Sequence, residues 1–230
     1  MAVTLETSDS WSIDSYPAVL DDGNTKAWYS VSETYLTLDT GDSPPTVDQL
    51  NDRSGNGLHL TRISSDEEPT YANGAITFDG ITQTLSNTDI SIGTAFTFYA
   101  VVRIDTWVAS DLMFYFGAEV TQIQMRTATP SVRMTAESAM SVNTTGTVGV
   151  FQIYRCEFNG ASSSFQINEL TPQTGDIGAY ACTSFTIGAS SAGGSSSNIS
   201  FKEVIIRSGV DSSGDQTAIY NYLATKYSIS

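Results

Sequence analysis

Basic residues are scarce in this chain: 10 Lys and Arg stand against 25 Asp and Glu, a formal net charge of −15 over 230 residues. A surface of that sign repels phosphate backbones, which excludes nucleic acid as a partner, and it disfavours binding to anionic lipid. Histidine occurs once, at His59, and cysteine twice, at Cys156 and Cys182. Two cysteines cannot build a disulfide scaffold, although a single bridge between strands stays open to them, and zinc would need a His/Cys cluster that is missing. No apolar run approaches the roughly 18 residues of a membrane span, so no membrane insertion is expected. Residues 1–20 lack a basic start and an apolar stretch, and carry Glu6 and Asp9 early, so they do not read as a secretory signal. Glycine motifs that cradle phosphates or dinucleotides are missing too; Gly193-Gly194 sits among serines ahead of a strand pattern.

What is abundant is Ser and Thr, about a quarter of the chain, beside 18 Gly. That mixture suits short strands and turns. Strand patterns recur at 75–78, 96–104, 112–117, 121–126, 132–135, 148–158, 164–170, 184–188 and 199–207. The run Phe96 to Ile104 is almost wholly apolar, as in a central strand covered on both faces. Eight or more such strands with no helix between them predict an all-β, two-sheet antiparallel jelly-roll sandwich. One helix is expected, over about 214–227 at the end of the chain. Ser213 and Gln216 have the spacing of a capping box there, and Ile219, Tyr222, Leu223 and Tyr227 share a face, leaving Asp215, Asn221 and Lys226 to water. The domain division that follows is an N-terminal arm or first strand over 1–24 and the sandwich over 25–230.

From Asp52 onward a family resemblance emerges. The turn Asp52-Arg53-Ser54-Gly55-Asn56-Gly57 is followed by Phe78-Asp79-Gly80, Phe96-Thr97-Phe98, Ile187-Gly188 and Glu203-Val204-Ile205-Ile206, then by a helix with Tyr222-Leu223 and Lys226-Tyr227. In this order the motifs resemble the concanavalin A-like lectin/glucanase domain, in the laminin-G-like form common in phage virion and bacterial surface proteins. Physics assigns the pieces structural work: Gly55 and Gly57 supply positive φ, and Asp52 accepts backbone N–H groups across the turn. The chain departs from the pattern at Ala27-Trp28-Tyr29-Ser30, where a Trp-Leu-Asp-like strand would stand, and at Ser228, where a Gly commonly follows.

The resemblance implies glucanase chemistry only where alternate carboxylates line one strand, since retaining glycosidases need two such groups about 5–5.5 Å apart. Glu157 and Glu203 lack an acidic neighbour two residues away, and Asp66-Glu67-Glu68 is consecutive, which suits a solvated loop. His59 comes without a nucleophile motif and reads as structural. The expectation is therefore no catalytic residue and no enzyme. The family's other uses imply two sites. Calcium, the one cofactor expected to be possible, would take oxygen from Asp39, Asp42, Asp48 and Asp52. A glycan would use the strip that strand parity turns outward, Gln124, Arg126, Arg133 and Tyr154, although in so acidic a chain the arginines are expected to pair with carboxylates. Trp11, Tyr16 and Pro17 lie outside the resemblance and would anchor a partner.

These readings combine into an expected non-enzymatic structural or adhesive protein displayed on a phage virion, as head decoration, fibre or tail-associated protein. Its partners would be other virion proteins of capsid or tail and host surface glycans, and it would form a homo-oligomer, with a trimer the first candidate. The alternative is a glycan-binding, lectin-like module of a bacterial surface or secreted protein, placed extracellularly or on the cell surface.

Overall fold

A computed structural model describes residues 15–62, 68–117, 121–127, 130–137, 140–190 and 193–230. Its strands are β1 (Thr25–Ser30), β2 (Leu36–Asp39), β3 (Thr46–Leu50), β4 (Leu60–Thr61), β5 (Thr70–Ala72), β6 (Ala75–Thr77), β7 (Leu85–Asn87), β8 (Phe96–Ile104) and β9 (Leu112–Tyr115). They continue with β10 (Gln122–Met125), β11 (Ser131–Glu137), β12 (Met140–Thr145), β13 (Gln152–Phe158), β14 (Ser163–Ile167), β15 (Gln173–Gly175), β16 (Phe185–Ile187) and β17 (Ile199–Ser208). One helix, α1 (Ser213–Tyr227), ends the described chain.

All seventeen strands join through antiparallel ladders into one nearly closed sheet, where the sequence predicts two separate sheets. One run of neighbours is β15-β14-β13-β8-β17-β1. The other is β12-β11-β10-β9-β16-β7-β4-β3-β2. The short pieces β5 and β6 link them, because β6 pairs with the first residues of β17 and β5 with β3. A register shift between Phe201 and Glu203 lets β17 change partners from β6 to β1 along its length. On the opposite side Ala136 N–H donates to Ile177 O at 2.9 Å, tying β11 to the segment after β15.

β8 shows why the apolar run is continuous. Phe96, Phe98, Ala100, Val102 and Ile104 enter the main core, where Phe96 stacks on Phe158 at 4.2 Å between centroids. Tyr99 and Val101 point to the other face and join Trp28, Ile153, Ile205, Ile219, Tyr222 and Leu223 in a second core beneath α1. The helix starts one residue earlier than expected: Ser212, rather than Ser213, is the N-cap and accepts from Asp215 N–H at 3.2 Å. Lys226 does not face water but reaches Glu203 at 2.6 Å. At the helix end Ser228 adopts φ 54°, a left-handed cap conformation that favours glycine. Gly188 sits at φ +93° with the Phe78 ring 2.6 Å from where a Cβ would be, so the turn after β16 admits no side chain.

The described part of the N-terminal segment packs on the body. The Tyr16 ring meets Trp28 edge-on at 4.8 Å, Pro17 is buried and Leu20 belongs to the second core. Pro17 is thus taken up by the fold and Tyr16 is half-buried against Trp28, while Trp11 lies outside the described residues. Cys156 and Cys182 are both free and buried.

Candidate functional site

The outer face of the β2–β12 run is polar across its width. Register places Thr37, Gln49, Thr61, Ser86, Thr186, Tyr115, Gln122 and Thr135 side by side on consecutive strands. Their inward neighbours Leu50, Leu60, Leu85, Ile187, Phe114, Ile123 and Met134 lie in the main core. With about 4.8 Å between strands, the row of eight spans about 34 Å; Thr37 and Thr61 are exposed and Gln49, Ser86 and Tyr115 half-buried, while Gln122, Thr135 and Thr186 are buried.

Over β3, β4 and β7 this face opens into a pocket of about 420 Å³ lined by Gln49, Gly57, His59, Thr61, Arg62, Ser86, Asn87, Thr88 and Asp89. Local hydrogen bonding fixes several of these groups. Asp52 organises the preceding turn: its carboxylate accepts from Trp28 N–H and Ser54 N–H, both at 2.9 Å, from Ser54 Oγ at 2.7 Å and from Leu58 N–H at 3.2 Å. Its own N–H donates to His59 Nδ1 at 3.0 Å, which leaves the His59 proton on Nε2. Asn87 Nδ2 donates to His59 O at 2.9 Å, and Asn87 Oδ1 accepts from Asp89 N–H at 2.9 Å. Arg62 is held by Asp48 at 2.8 Å and by Glu68. The Asp89 side chain is exposed and makes no hydrogen bond or ion pair among the described residues. The pocket thus offers one uncommitted carboxylate, an imidazole donor, a fixed guanidinium and several hydroxyls. Convergent polar groups of this kind, with planar side chains among them, are the chemistry that orients a sugar.

Most of the site residues expected from sequence are distributed differently. Tyr154 is buried against Phe165 in the main core, with ring centroids 5.5 Å apart, so it cannot belong to an exposed strip. The parity of β13 is opposite to the expected one because α1 covers the second face with apolar contacts, leaving Phe151 and Ile153 beneath the helix. Gln124 has the expected outward parity but is buried at 6% exposure, bonded to Gln122 at 3.2 Å and to Arg133. Arg126 and Arg133 are partly exposed on that face, and neither pairs with a carboxylate among the described residues.

The four Asp expected to bind calcium do not fit one ion. Asp48 pairs with Arg62 and Asp52 is occupied by its turn. Asp39 and Asp42 instead gather with Glu68, ligand-type oxygens lying within 4.8 Å of one another, and the Thr46 hydroxyl donates to Glu68 at 2.6 Å with Asp42 at 3.1 Å from the same oxygen. Asp66 and Glu67 lie outside the described residues. The strands Thr46–Leu50, Leu60–Thr61 and Leu85–Asn87 and the pocket they carry were missed from sequence. The one signal for them is the Asp52 to His59 turn, which delivers His59 to the pocket's wall.

No protein-family model and no curated sequence matches the chain. Solved structures do share its fold. A GH54 α-L-arabinofuranosidase soaked with a cyclic sulfate inhibitor matches with TM-score 0.66 at 12% identity, over 88% of this chain and 63% of that one. The sialidase of Trypanosoma rangeli matches with TM-score 0.62 at 11% identity, over 86% of this chain and 32% of that one. A mutant of that sialidase displaying trans-sialidase activity matches with TM-score 0.63 at 11% identity, over 91% and 34%. The chain therefore spans about a third of the sialidase and under two thirds of the arabinofuranosidase. At such identity the likeness is one of fold. It nonetheless corrects the expected function: the neighbours are glycoside hydrolases, so neither a non-enzymatic protein of the phage virion nor the exclusion of enzymatic activity stands. The all-β fold with one C-terminal helix is one that glycosidases use.

Proposed function

We propose that this chain is a glycan-acting domain whose sugar site is the pocket over β3, β4 and β7. The observation that carries the reading is the pocket itself, about 420 Å³ of space lined by polar groups on a sheet face that is polar from β2 to β11. Asp89 is the carboxylate available to a bound sugar, as acceptor for its hydroxyls. His59 and Arg62 donate to sugar oxygens, and the hydroxyls of Thr61, Ser86 and Thr88 complete the set. The activities of the neighbours, sialidase and arabinofuranosidase, are consistent with this class of ligand. The finer assignment, a concanavalin A-like two-sheet sandwich, is part of the same reading, supported by the two strand runs and the ordered sequence motifs.

The test is a panel of aryl glycosides and oligosaccharides, sialosides and arabinofuranosides included, read by aglycone release and by calorimetric binding. Saturable binding or release that falls about tenfold or more in Asp89→Asn and His59→Ala is expected. A panel with neither binding nor release, or one whose signals ignore both substitutions, overturns the reading.

A further inference from the structure

In a chain with 25 acidic and 10 basic residues, every arginine has carboxylates to choose from. Arg62, Arg103 and Arg207 take them. Arg53 lies over the Trp28 and Tyr35 rings instead, and Arg126, Arg133 and Arg155 make no ion pair among the described residues; of these three, Arg126 and Arg133 stand together on the polar face. Arg133 faces Gln124 across the β10–β11 ladder and donates to its Oε1, an acceptor already shared with Gln122 Nε2 at 3.2 Å. Its Nε is buried with no hydrogen-bond partner among the described residues. Burial and the neighbouring Arg126 charge both pull the Arg133 pKa below its ordinary value. Two guanidinium groups held together this way, one with a buried unfilled donor, are stable only at a cost that an oxyanion would remove.

The surroundings suit an oxyanion carried by a sugar. Arg133 pairs in register with Asn143, Ser131 with Thr145, and Arg126 N–H donates to Ser131 O at 2.8 Å. Ser131, Asn143 and Thr145 line a second pocket of about 420 Å³, which the exposed Leu170, Thr171 and Gln173 close from the far side. Among the described residues its lining holds hydroxyls, amides and one apolar side chain, and no carboxylate to repel an anion despite the net charge of −15.

Resting on the glycan reading above, we propose that the glycan taken by this face carries an oxyanion, a carboxylate or a sulfate on the sugar, held by Arg126 and Arg133 beside the second pocket. Guanidinium forks match the planar or trigonal arrangement of such oxygens.

The probes are polygalacturonate against its fully methyl-esterified form, and dextran sulfate against dextran, with binding to the intact chain read by calorimetry at two salt concentrations. At least one acidic polymer is expected to bind about tenfold or more tightly than its neutral counterpart, with an advantage that shrinks in salt. Which pair shows the difference identifies the oxyanion. Arg133→Gln and the more peripheral Arg126→Gln should each remove most of that advantage while leaving the neutral polymer unchanged. Equal binding of acidic and neutral polymers overturns the inference, as does an advantage that survives both substitutions. Neutral glycans bound through His59 and Asp89 with no effect of either arginine would overturn it and leave the proposed function standing. No binding in any arm removes both.

Discussion

The outer faces of the two strand runs treat their polar residues in opposite ways. Beneath α1, Glu203 is fully buried and every oxygen is filled: Trp28 Nε1 donates at 2.6 Å, Tyr222 OH at 2.8 Å, Lys226 Nζ at 2.6 Å and Tyr227 OH at 2.5 Å. Arg207, at 1% exposure, is likewise saturated by Asp22, Asp211, Thr25 Oγ1 and Val19 O. On the face of β2–β12, among the described residues, the Asp89 side chain is uncommitted, Arg133 Nε is unfilled and Arg126 has no carboxylate partner. Buried charges that satisfy one another fasten a helix to a sheet. Charges that do not, on a face of matched hydroxyls and amides, are available to a ligand.

The sharpest way to break this contrast is at Glu203. Glu203→Ala leaves Lys226 and the Trp28 and Tyr222 donors without their acceptor and should cost about 3–5 kcal/mol in urea unfolding. A loss below about 1 kcal/mol would show that the network does not hold the helix. Next comes Leu223→Ala, which hollows the second core under α1. It should cost about 2–4 kcal/mol by the same measurement, with near-wild-type loss of signal slope.

Acid titration probes the Arg207 network from its rim. The Arg207 hydrogen bond holds the Asp22 pKa down at about 2, below its ordinary value of 3.8. A depressed folded-state pKa means stability that is present above about pH 4 and lost as pH falls through about 2. Asp22→Asn should therefore flatten the acid limb of a stability–pH curve between those values and leave its neutral region nearly parallel. An acid limb unchanged in the variant contradicts the assignment.

The smallest stability effects belong to the polar face. Asp89→Asn and Arg126→Gln should each change unfolding free energy by no more than about 0.5 kcal/mol, because neither side chain supports the fold. Stability losses comparable to that of Leu223→Ala would mean that these residues are structural, and the comparison between faces would collapse.

How much of this was readable in advance depended on how one-sided each strand is. β10 and β11 have apolar residues on one face alone, Ile123, Met125, Val132 and Met134, so the outward parity of Gln124, Arg126 and Arg133 was legible. β13 has apolar residues on both faces, since α1 covers the second, and alternation then cannot choose a phase, which is why it puts Tyr154 on the wrong side. β8 was legible as a doubly covered strand from its unbroken apolar run. The pocket strands were not, because β4 has two residues and β7 three, too few to show a period, and β3 spaces Val47 and Leu50 three apart. The pocket draws its lining from segments near 49, 59 and 87, a convergence that only the register of β3, β4 and β7 creates. The glycine motifs were legible because a clash stands behind them: at Gly80, as at Gly188, a Cβ would meet a neighbour too closely, here Asn198 N at 2.9 Å.

Hydrogen–deuterium exchange of the intact chain, with and without a saturating oligosaccharide found in the glycan panel, tests the division of the two faces most directly. The account predicts ligand-dependent protection over 46–62, 85–89 and 112–126, and unchanged exchange in α1 and in the β1 and β13 strands beneath it. Protection concentrated in α1, with the β3, β4 and β7 segments unaffected, would contradict it.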